Sequence, residues 1–285
     1  ITDRFRQFEE DNNRGSTNLF LNYNQLANYE FPLPPLEEQR RIVSLLQAVE
    51  ETINGYSELI ARSEVVLTTL TNEVMKVGTR NTELTDNEGQ LIPKNWEIDT
   101  LGNIAIVERG RFAHRPRNLP EFYGGKYPFV QTGDVARCRG NLTHYEQTLS
   151  ESGKAISKSF PIGSILMTIA AVIGKTAITT FETWVTDSVV GIIPIRMNVN
   201  FLEYYLRTQQ QHLESVVATQ TAQKNINLAM LKPMRIPIPP IDEQMEIVDR
   251  LKSIEQGIEL QKRCRDNILT VKKRLLELNL NGNCE

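Results

Sequence analysis

The sequence predicts an α+β protein in which one mixed globular domain lies between two long helices that form an antiparallel coiled coil. Three observations predict this architecture. A Pro-Pro-acidic-Glu-Gln segment occurs twice, 205 residues apart. Each copy is followed by a long stretch with apolar side chains at helical 3-4 spacing. Between the two stretches, short apolar runs alternate with glycine-containing turns, which is the pattern of strands.

The duplicated segment predicts where the two helices begin. Residues 31–43 read FPLPPLEEQRRIV and residues 236–248 read IPIPPIDEQMEIV, with seven of the thirteen positions identical. Proline fixes φ and keeps the residue before it extended, so each helix begins only after the second adjacent proline, Pro35 or Pro240. The carboxylates that follow lie in the first helical turn, where they stabilise the positive end of the helix dipole.

The first helix is predicted over Leu36 to Val77 and the second over Ile241 to Leu280. In the first, the 3-4 spacing of a coiled-coil seam continues throughout. In the second, the spacing is predicted to slip in phase at residues 261–265, after which the seam continues at Ile268, Val271, Leu275 and Leu278. A helix of ~60 Å with a narrow apolar stripe needs a partner, and we expect the two helices to pair with each other.

The sequence between the helices divides into two segments. Residues 78–100 are polar and rich in turn signals, and they are predicted to be a linker. Residues 101–235 are predicted to form the globular domain, with one helix over Phe201–Val217. Its strands are expected at Ile104–Glu108, Tyr127–Val130, Ile165–Ile169, Thr176–Thr180 and Val189–Ile195.

The composition argues against a membrane protein and a metal-bound scaffold. The longest strongly apolar run, residues 165–174, is too short for a membrane-spanning helix, which takes about 20 residues. Cys138, Cys264 and Cys284 are too far apart in the sequence for a zinc site or a disulfide framework. We therefore expect a cytoplasmic protein with reduced thiols, no membrane segment and no metal.

The net charge of -3 conceals a segregation of charge along the chain. Residues 105–240 contain 15 Lys and Arg against 9 Asp and Glu, whereas the remainder contains 17 against 26. The basic charge is concentrated between Arg109 and Lys158. The planar fork of arginine fits both phosphate and the guanine edge, and Gln and Asn pair with adenine. A solvated basic face without a ligand would have the same charge, so charge alone does not distinguish such a face from a nucleic-acid-binding surface.

The basic region, Lys175 and a polar stretch at residues 219–225 supply the candidate DNA contacts. An ordinary surface loop would have the same composition as the polar stretch. The predicted DNA-binding residues are Arg109, Arg111, His114, Arg115, Arg117, Arg137, Arg139, Lys175, Gln220, Gln223, Lys224 and Asn225.

No motif of a DNA-modifying enzyme accompanies this region. An adenine methyltransferase needs a Gly-rich cofactor turn and an Asn/Asp-Pro-Pro-aromatic motif, and neither occurs in the sequence. His114, His144 and His212 are isolated, and no cluster of carboxylates with a lysine marks a metal-dependent nuclease. We therefore predict a protein that binds without catalysis and carries no cofactor.

These features together resemble the specificity (S) subunit of type I restriction-modification enzymes. The resemblance rests on PLPPLEEQRRIV and PIPPIDEQMEIV, each before a long helix, and on the segments between them. Those segments are KNWEIDTLGNIA, YPFVQTGDV, GSILMTIAAVIGKTAI and QTAQKNINLAML. The resemblance extends over essentially the whole chain.

The resemblance implies a function for each segment. Residues 101–235 would be a target recognition domain that reads half of a bipartite sequence in double-stranded DNA. Residues 31–77 and 236–285 would be spacer helices, and residues 1–30 the end of a preceding recognition domain. The spacer would dock modification subunits, which carry S-adenosylmethionine and the methyltransferase chemistry, and the complex would include a restriction subunit. The residues expected to serve docking are Pro35, Glu38, Gln39, Pro240, Glu243 and Gln244.

The resemblance also raises two alternatives about the chain itself. A complete S subunit has two recognition domains, whereas this sequence has one. It would be either part of a larger subunit or a half-length subunit that associates with a second copy.

A different class of function fits the helices equally well. A coiled-coil assembly module that carries a protein- or glycan-binding domain would have the same two helices. Binding to DNA through several phosphates weakens steeply with added salt, and this salt dependence separates the two hypotheses.

Overall fold

The computed structural model describes residues 3–13, 21–30, 33–80, 82–87, 89–114, 116–218 and 225–280. The helices are α1 (Asp3–Asn12), α2 (Tyr23–Ala27), α3 (Leu36–Val77), α4 (Leu101–Ile104), α5 (Thr132–Arg137), α6 (Glu151–Ile156), α7 (Val199–Thr208), α8 (Gln210–Ala218), α9 (Leu228–Leu231) and α10 (Ile241–Leu280). A 3-10 turn spans Pro120–Phe122. The bounds predicted for the two long helices are confirmed by α3 and α10.

The strands are β1 (Leu84–Asn87), β2 (Gln90–Pro93), β3 (Glu97–Thr100), β4 (Ala105–Arg109), β5 (Tyr123–Val130), β6 (Asn141–Leu142), β7 (Gln147–Leu149), β8 (Lys158–Phe160), β9 (Ile165–Thr168), β10 (Thr176–Thr179), β11 (Thr183–Val185), β12 (Val189–Pro194) and β13 (Arg235–Ile238). A five-stranded sheet has the order β4-β12-β9-β10-β6, and a four-stranded sheet has the order β7-β5-β11-β8. Two further pairs are β1-β2 and β13-β3. The α+β class is therefore confirmed.

The chain forms two compact units. The helical unit comprises residues 1–67 and 253–285, and the globular unit comprises residues 68–252.

In the helical unit, α3 and α10 run antiparallel. Lys262 Nζ donates to Glu64 Oε1 at 2.7 Å, and farther along α10 Lys272 donates to Glu50, which precedes Glu64 in α3. Ile53, Ile60 and Leu67 are buried and lie seven residues apart, as expected for a heptad seam.

The phase slip predicted in α10 is wrong. Of the four apolar residues predicted on the seam after the slip, two are half-buried, but Val271 and Leu278 are 50% and 56% exposed. Gln261, Arg265 and Lys272 are half-buried instead. The 3-4 spacing thus continues without interruption, with polar residues at several seam positions. Long polar side chains cover apolar surface with their stems while their heads reach water or a carboxylate, so they occupy a seam that apolar residues alone do not mark.

The core of the globular unit lies between the two larger sheets. Val130 and Phe160 of the four-stranded sheet and Leu166 and Ala177 of the five-stranded sheet belong to one buried cluster. The other face of the four-stranded sheet carries an aromatic cluster, which consists of Phe112, Phe122, Phe129, Leu149 and Trp184.

Two predicted features of the globular region need correction. The helix expected over Phe201–Val217 is two helices, α7 and α8, which are separated at Gln209. The segment 78–100, predicted as a linker, contains three strands, and β3 pairs antiparallel with β13. Trp96 in this segment is buried, at 5% exposure. The polar sequence concealed these strands because they are short, and β3 in addition depends on a partner, β13, that is distant in the sequence.

Substitution of Gly191, which lies between the two sheets, tests how tightly they pack. A Cβ placed on Gly191 of β12 would lie 2.1 Å from Phe160 Cε1, and Phe160 is 1% exposed. We expect Gly191→Ala to lower the free energy of unfolding by about 1–3 kcal/mol, because a filled core accepts an extra methyl group only with strain. Gly133→Ala is the control, since a Cβ there meets only the flexible end of Arg137 at 3.7 Å. Equal midpoints of urea unfolding for the two variants would contradict this reading of the core.

Candidate nucleic-acid interface

Asp187 joins two of the predicted DNA contacts. It follows β11, and its backbone carbonyl accepts a hydrogen bond from Arg109 Nε at 2.5 Å. Its carboxylate accepts from Arg117 Nη2. Arg109 ends β4 and Arg117 lies in the loop before the 3-10 turn, so one residue fixes the side chains of two separate segments.

Backbone hydrogen bonds bring two more loops to the same edge. Ile169 N donates to Ser188 O at 3.0 Å, and Ile226 N donates to Ile169 O at 3.1 Å. The β9–β10 loop, which contains Lys175, and the segment that begins at Asn225 therefore lie beside the Asp187 loop. We call this convergence of residues 109–114, 116–119, 169–175, 186–188 and 225–226 the loop edge.

The β9–β10 loop is also conformationally strained. Ala171 has φ of 62°, in the left-handed region that an alanine adopts only at a cost. A strained backbone conformation persists only where the surrounding structure holds it in place, and such conformations are found most often at binding sites and other functional sites.

A basic cleft lies next to the loop edge. It has a volume of about 570 Å³ and is lined by Arg109, Gly110, Arg111, Ser157, Lys158 and Ser159. Lys158 N donates to Arg111 O at 3.2 Å, and Phe112 pairs with Ser157. Because side chains alternate in extended backbone, Phe112 enters the core while Arg111 is exposed.

An aromatic cleft adjoins the basic cleft at Ser157 and Ser159. It has a volume of about 440 Å³, and its other lining residues are Tyr127, Glu151, Lys154, Ala155, Glu182 and Trp184. The rings of Tyr127 and Trp184 lie 4.9 Å apart between centroids. Lys154 Nζ lies 4.3 Å from the Tyr127 centroid and 5.8 Å from that of Trp184. The two clefts form one concave surface that combines cations with aromatic rings.

The remaining predicted contacts differ in their surroundings. His114 packs on Phe122, with 4.8 Å between ring centroids, and its Nδ1 lies 3.2 Å from Pro116 O. Lys175 is half-buried and Asn225 is exposed. Arg115, Gln220, Gln223 and Lys224 lie outside the described residues.

Arg137 and Arg139 lie by β6 and not in the clefts. Arg137 donates to Asp134 at 2.8 Å and forms an ion pair with Glu146 at 2.7 Å. Arg139 is exposed, and the carbonyl of the next residue, Gly140, accepts from Ile178 N of β10 at 2.7 Å. Two carboxylates offset the charge of Arg137, so it is less available to phosphate than Arg111.

Several residues that line the two clefts were not among the predicted DNA contacts. Ser157, Lys158 and Ser159 line the basic cleft because β8 is placed beside residues 109–113. Lys154 and Trp184 line the aromatic cleft. The concentration of lysines was visible in the sequence, but the pairing that brings them to Arg109 and Arg111 was not.

The Glu-Gln pair of the second repeat is buried within the globular unit. Glu243 is fully buried and accepts from Thr79 N and from Trp96 Nε1, each at 3.1 Å. Gln244 Nε2 donates to Pro239 O at 2.7 Å, while its Oε1 accepts from Asn198 N at 2.9 Å. The motif therefore attaches the start of α10 to the rest of the globular unit.

The glycine that ends α3 makes this attachment possible. Gly78 has φ of +72°, and a Cβ on it would lie 2.4 Å from Glu243 Oε1. Beside it, Arg80 donates to the Asp242 carboxylate at 2.7 Å, and this hydrogen bond lowers the pKa of Asp242 below its ordinary value.

The first repeat has the same local hydrogen bond as the second, but its side chains are more exposed. Gln39 Nε2 donates to Pro34 O at 2.7 Å, as its counterpart does in the second repeat. Glu38 and Gln39 are only half-buried, and Pro35 is exposed. Leu33 is 74% exposed, whereas the equivalent Ile238 is 9% exposed. The same apolar face is thus covered in one repeat and open in the other.

Within the described part of the chain, no helix is both long enough and apolar enough to cross a membrane. No group of three or more His, Cys, Asp or Glu side chains suited to a metal ion is found among these residues.

Comparison with a family model gives a match over most of the chain. The model is described as the type I restriction modification DNA specificity domain, and it matches residues 6–61 and 93–270.

Curated relatives agree with this match. The MjaX type I restriction enzyme specificity subunit of Methanocaldococcus jannaschii is 28% identical over 269 residues, covering 92% of this chain and 61% of the relative. The EcoBI specificity subunit of Escherichia coli is 27% identical, covering 82% of this chain and 53% of the relative. The chain thus spans between about half and three fifths of the length of these relatives.

Solved structures show the same fold. The HsdS subunit of Thermoanaerobacter tengcongensis has a TM-score of 0.58 at 24% identity, covering 97% of this chain and 68% of that chain. A structure described as bearing on complex assembly of the type I restriction-modification system has a TM-score of 0.70 at 24% identity, covering 99% and 69%.

Proposed function

The chain belongs to the type I restriction-modification DNA specificity family, and from this premise we propose that its globular unit binds one half of a bipartite target in double-stranded DNA. The observation that carries the proposal is the concave surface made by the basic and aromatic clefts. Arg111 and Lys154 line it, and the structure gives neither side chain an ion pair among the described residues. Cations on a concave face hold a phosphate backbone, and apolar or aromatic side chains beside them can contact base edges such as the thymine methyl group.

The proposal assigns binding, and not chemistry, to this chain. The methyltransferase reaction and its S-adenosylmethionine would belong to modification subunits, and DNA cleavage to a restriction subunit. The complex would act in the cytoplasm. Exposed apolar residues on the long helices offer a docking surface for the modification subunits, and they include Val65, Val66, Leu260 and Leu269.

The open first repeat supports a second recognition module. Ile238 and Val248 of the second repeat are buried, whereas their counterparts in the first repeat, Leu33 and Val43, are exposed. A module of the same kind would cover this face, supplied either by a longer chain or by a second copy of this chain. The helices between the two repeats would then set the distance between the two half-sites.

A second candidate function is favoured by the aromatic cleft. Tyr127 and Trp184, together with the carboxylates Glu151 and Glu182, also suit stacking and hydrogen bonding to a glycan. Glycan binding does not depend on counterion release, so it would change little between low and high salt.

Co-purification with a type I modification subunit of the same organism tests the proposed function. We expect a stable complex that methylates adenines within one bipartite sequence when S-adenosylmethionine is supplied. Mapping the methylated adenines gives the target and its spacing. A chain that forms no such complex and binds no DNA at low salt would contradict the proposal.

A further inference from the structure

The predicted arginines of the described residues differ in what holds their guanidinium groups. Arg117 and Arg137 donate to carboxylates, which offset their charge. Arg111 is exposed, and no hydrogen bond to another described residue anchors its side chain. Arg109 is anchored by a neutral group, the backbone carbonyl of Asp187, so it keeps its full charge while its direction is fixed.

The backbone beneath Arg109 is held as firmly as its side chain. Arg109 pairs with Val190 in the β4–β12 ladder, and Gly110 N donates to Val189 O at 2.8 Å. A Cβ on Gly110 would lie 2.1 Å from Thr186 O, so the two segments are in direct contact. A side chain on such a rigid support loses little conformational entropy when it binds.

The anchoring bond determines which part of the guanidinium is available. Arg109 uses Nε for Asp187, and among the described residues no group accepts a hydrogen bond from its two terminal nitrogens. Those nitrogens form a planar fork with the spacing of guanine O6 and N7. Arg109 is exposed at the point where the basic cleft meets the loop edge.

We propose that Arg109 reads a guanine in the DNA target, whereas Arg111 and Lys154 hold phosphates. This inference rests on the proposed function and adds the residue that gives base discrimination at one position. A fixed bidentate fork discriminates between bases because a wrong base leaves it unpaired, whereas a mobile cation accepts any phosphate. One such pair discriminates by about 5- to 150-fold.

Selection of bound duplexes from a random-sequence pool tests the inference. The variant is Arg109→Lys, which keeps the charge but removes the fork, and Arg111→Lys is its matched control from the same cleft. We expect the wild-type chain and Arg111→Lys to enrich one motif that contains a guanine. Arg109→Lys is expected to lose the preference for that guanine and to retain the other positions of the motif. Its low-salt affinity for unselected duplex should remain within about twofold, because its charge is unchanged.

The outcomes separate this inference from the proposed function. Enrichment of the same motif by Arg109→Lys and the wild type would overturn the assignment of Arg109 and leave DNA recognition intact. A weaker affinity with an unchanged motif would show that Arg109 holds a phosphate, which also overturns it. A wild-type chain that enriches no motif would contradict the proposed function itself. Thermal unfolding serves as the control for folding, since Arg109→Lys leaves the Arg117–Asp187 pair in place.

Discussion

Replacing Glu243 with alanine is expected to lower the free energy of unfolding of the globular unit by about 2–6 kcal/mol. The carboxylate is fully buried and accepts hydrogen bonds from Thr79 N and Trp96 Nε1, and Asn95 Nδ2 lies 3.4 Å away. Each buried donor left without an acceptor costs about 1–3 kcal/mol. Urea unfolding followed by tryptophan fluorescence measures the effect, because Trp96 and Trp184 both lie in this unit.

The first repeat supplies the matched control for this substitution. Glu38 occupies the same position of the motif at the start of α3, but it is only half-buried. We expect Glu38→Ala to change the stability of the chain by less than about 1 kcal/mol, as for a surface substitution. Equal losses from Glu38→Ala and Glu243→Ala would mean that the motif stabilises its own helix and not the attachment of that helix to the globular unit.

The long helices were predictable because their signals are local. Pro35 and Pro240 fix where α3 and α10 begin, and apolar spacing carries each helix onward. The seam of α10 was predicted less well. Apolar periodicity alone does not register Arg265 and Lys272, whose stems cover the seam as apolar side chains do.

The strands of the globular unit were predictable only where they are long and apolar. β9, β10 and β12 are almost wholly buried and were predicted within one residue at each end. β8 and β11 have three residues each. They pair with each other, and β11 also pairs with β5. Pairing between residues far apart in the sequence determines such strands, and no window of sequence contains that information.

The candidate interface was predictable as a composition but not as a geometry. Sequence identified the basic region and Arg109 and Arg111 within it. It gave no sign that Asp187, which is 70 residues from Arg117, would offset the charge of that arginine. Long-range contacts therefore determine which cations are exposed to a ligand and which form ion pairs within the protein.

Removing Arg111 and Lys154 together is expected to lower the affinity for duplex DNA on the order of tenfold at about 0.2 M salt. Each cation that neutralises a phosphate releases counterions, so the double alanine variant should reduce the slope of log affinity against log salt by roughly 1.8. Arg111 lines the basic cleft and Lys154 lines the aromatic cleft, so the variant tests both parts of the concave surface. Fluorescence anisotropy of a labelled duplex across a salt series measures both quantities.

The helical unit supplies a control that makes the same change in net charge. Arg62 and Arg263 are exposed there and form surface ion pairs with Glu58 and Glu259. Replacing both with alanine should leave the salt slope unchanged, because surface pairs of this kind contribute little and their cations do not line the clefts. If the two double variants reduce the slope equally, net charge and not the concave surface attracts the DNA. A reduction confined to the Arg111 and Lys154 variant places phosphate contacts in the clefts, next to the arginine fork that we propose reads the base.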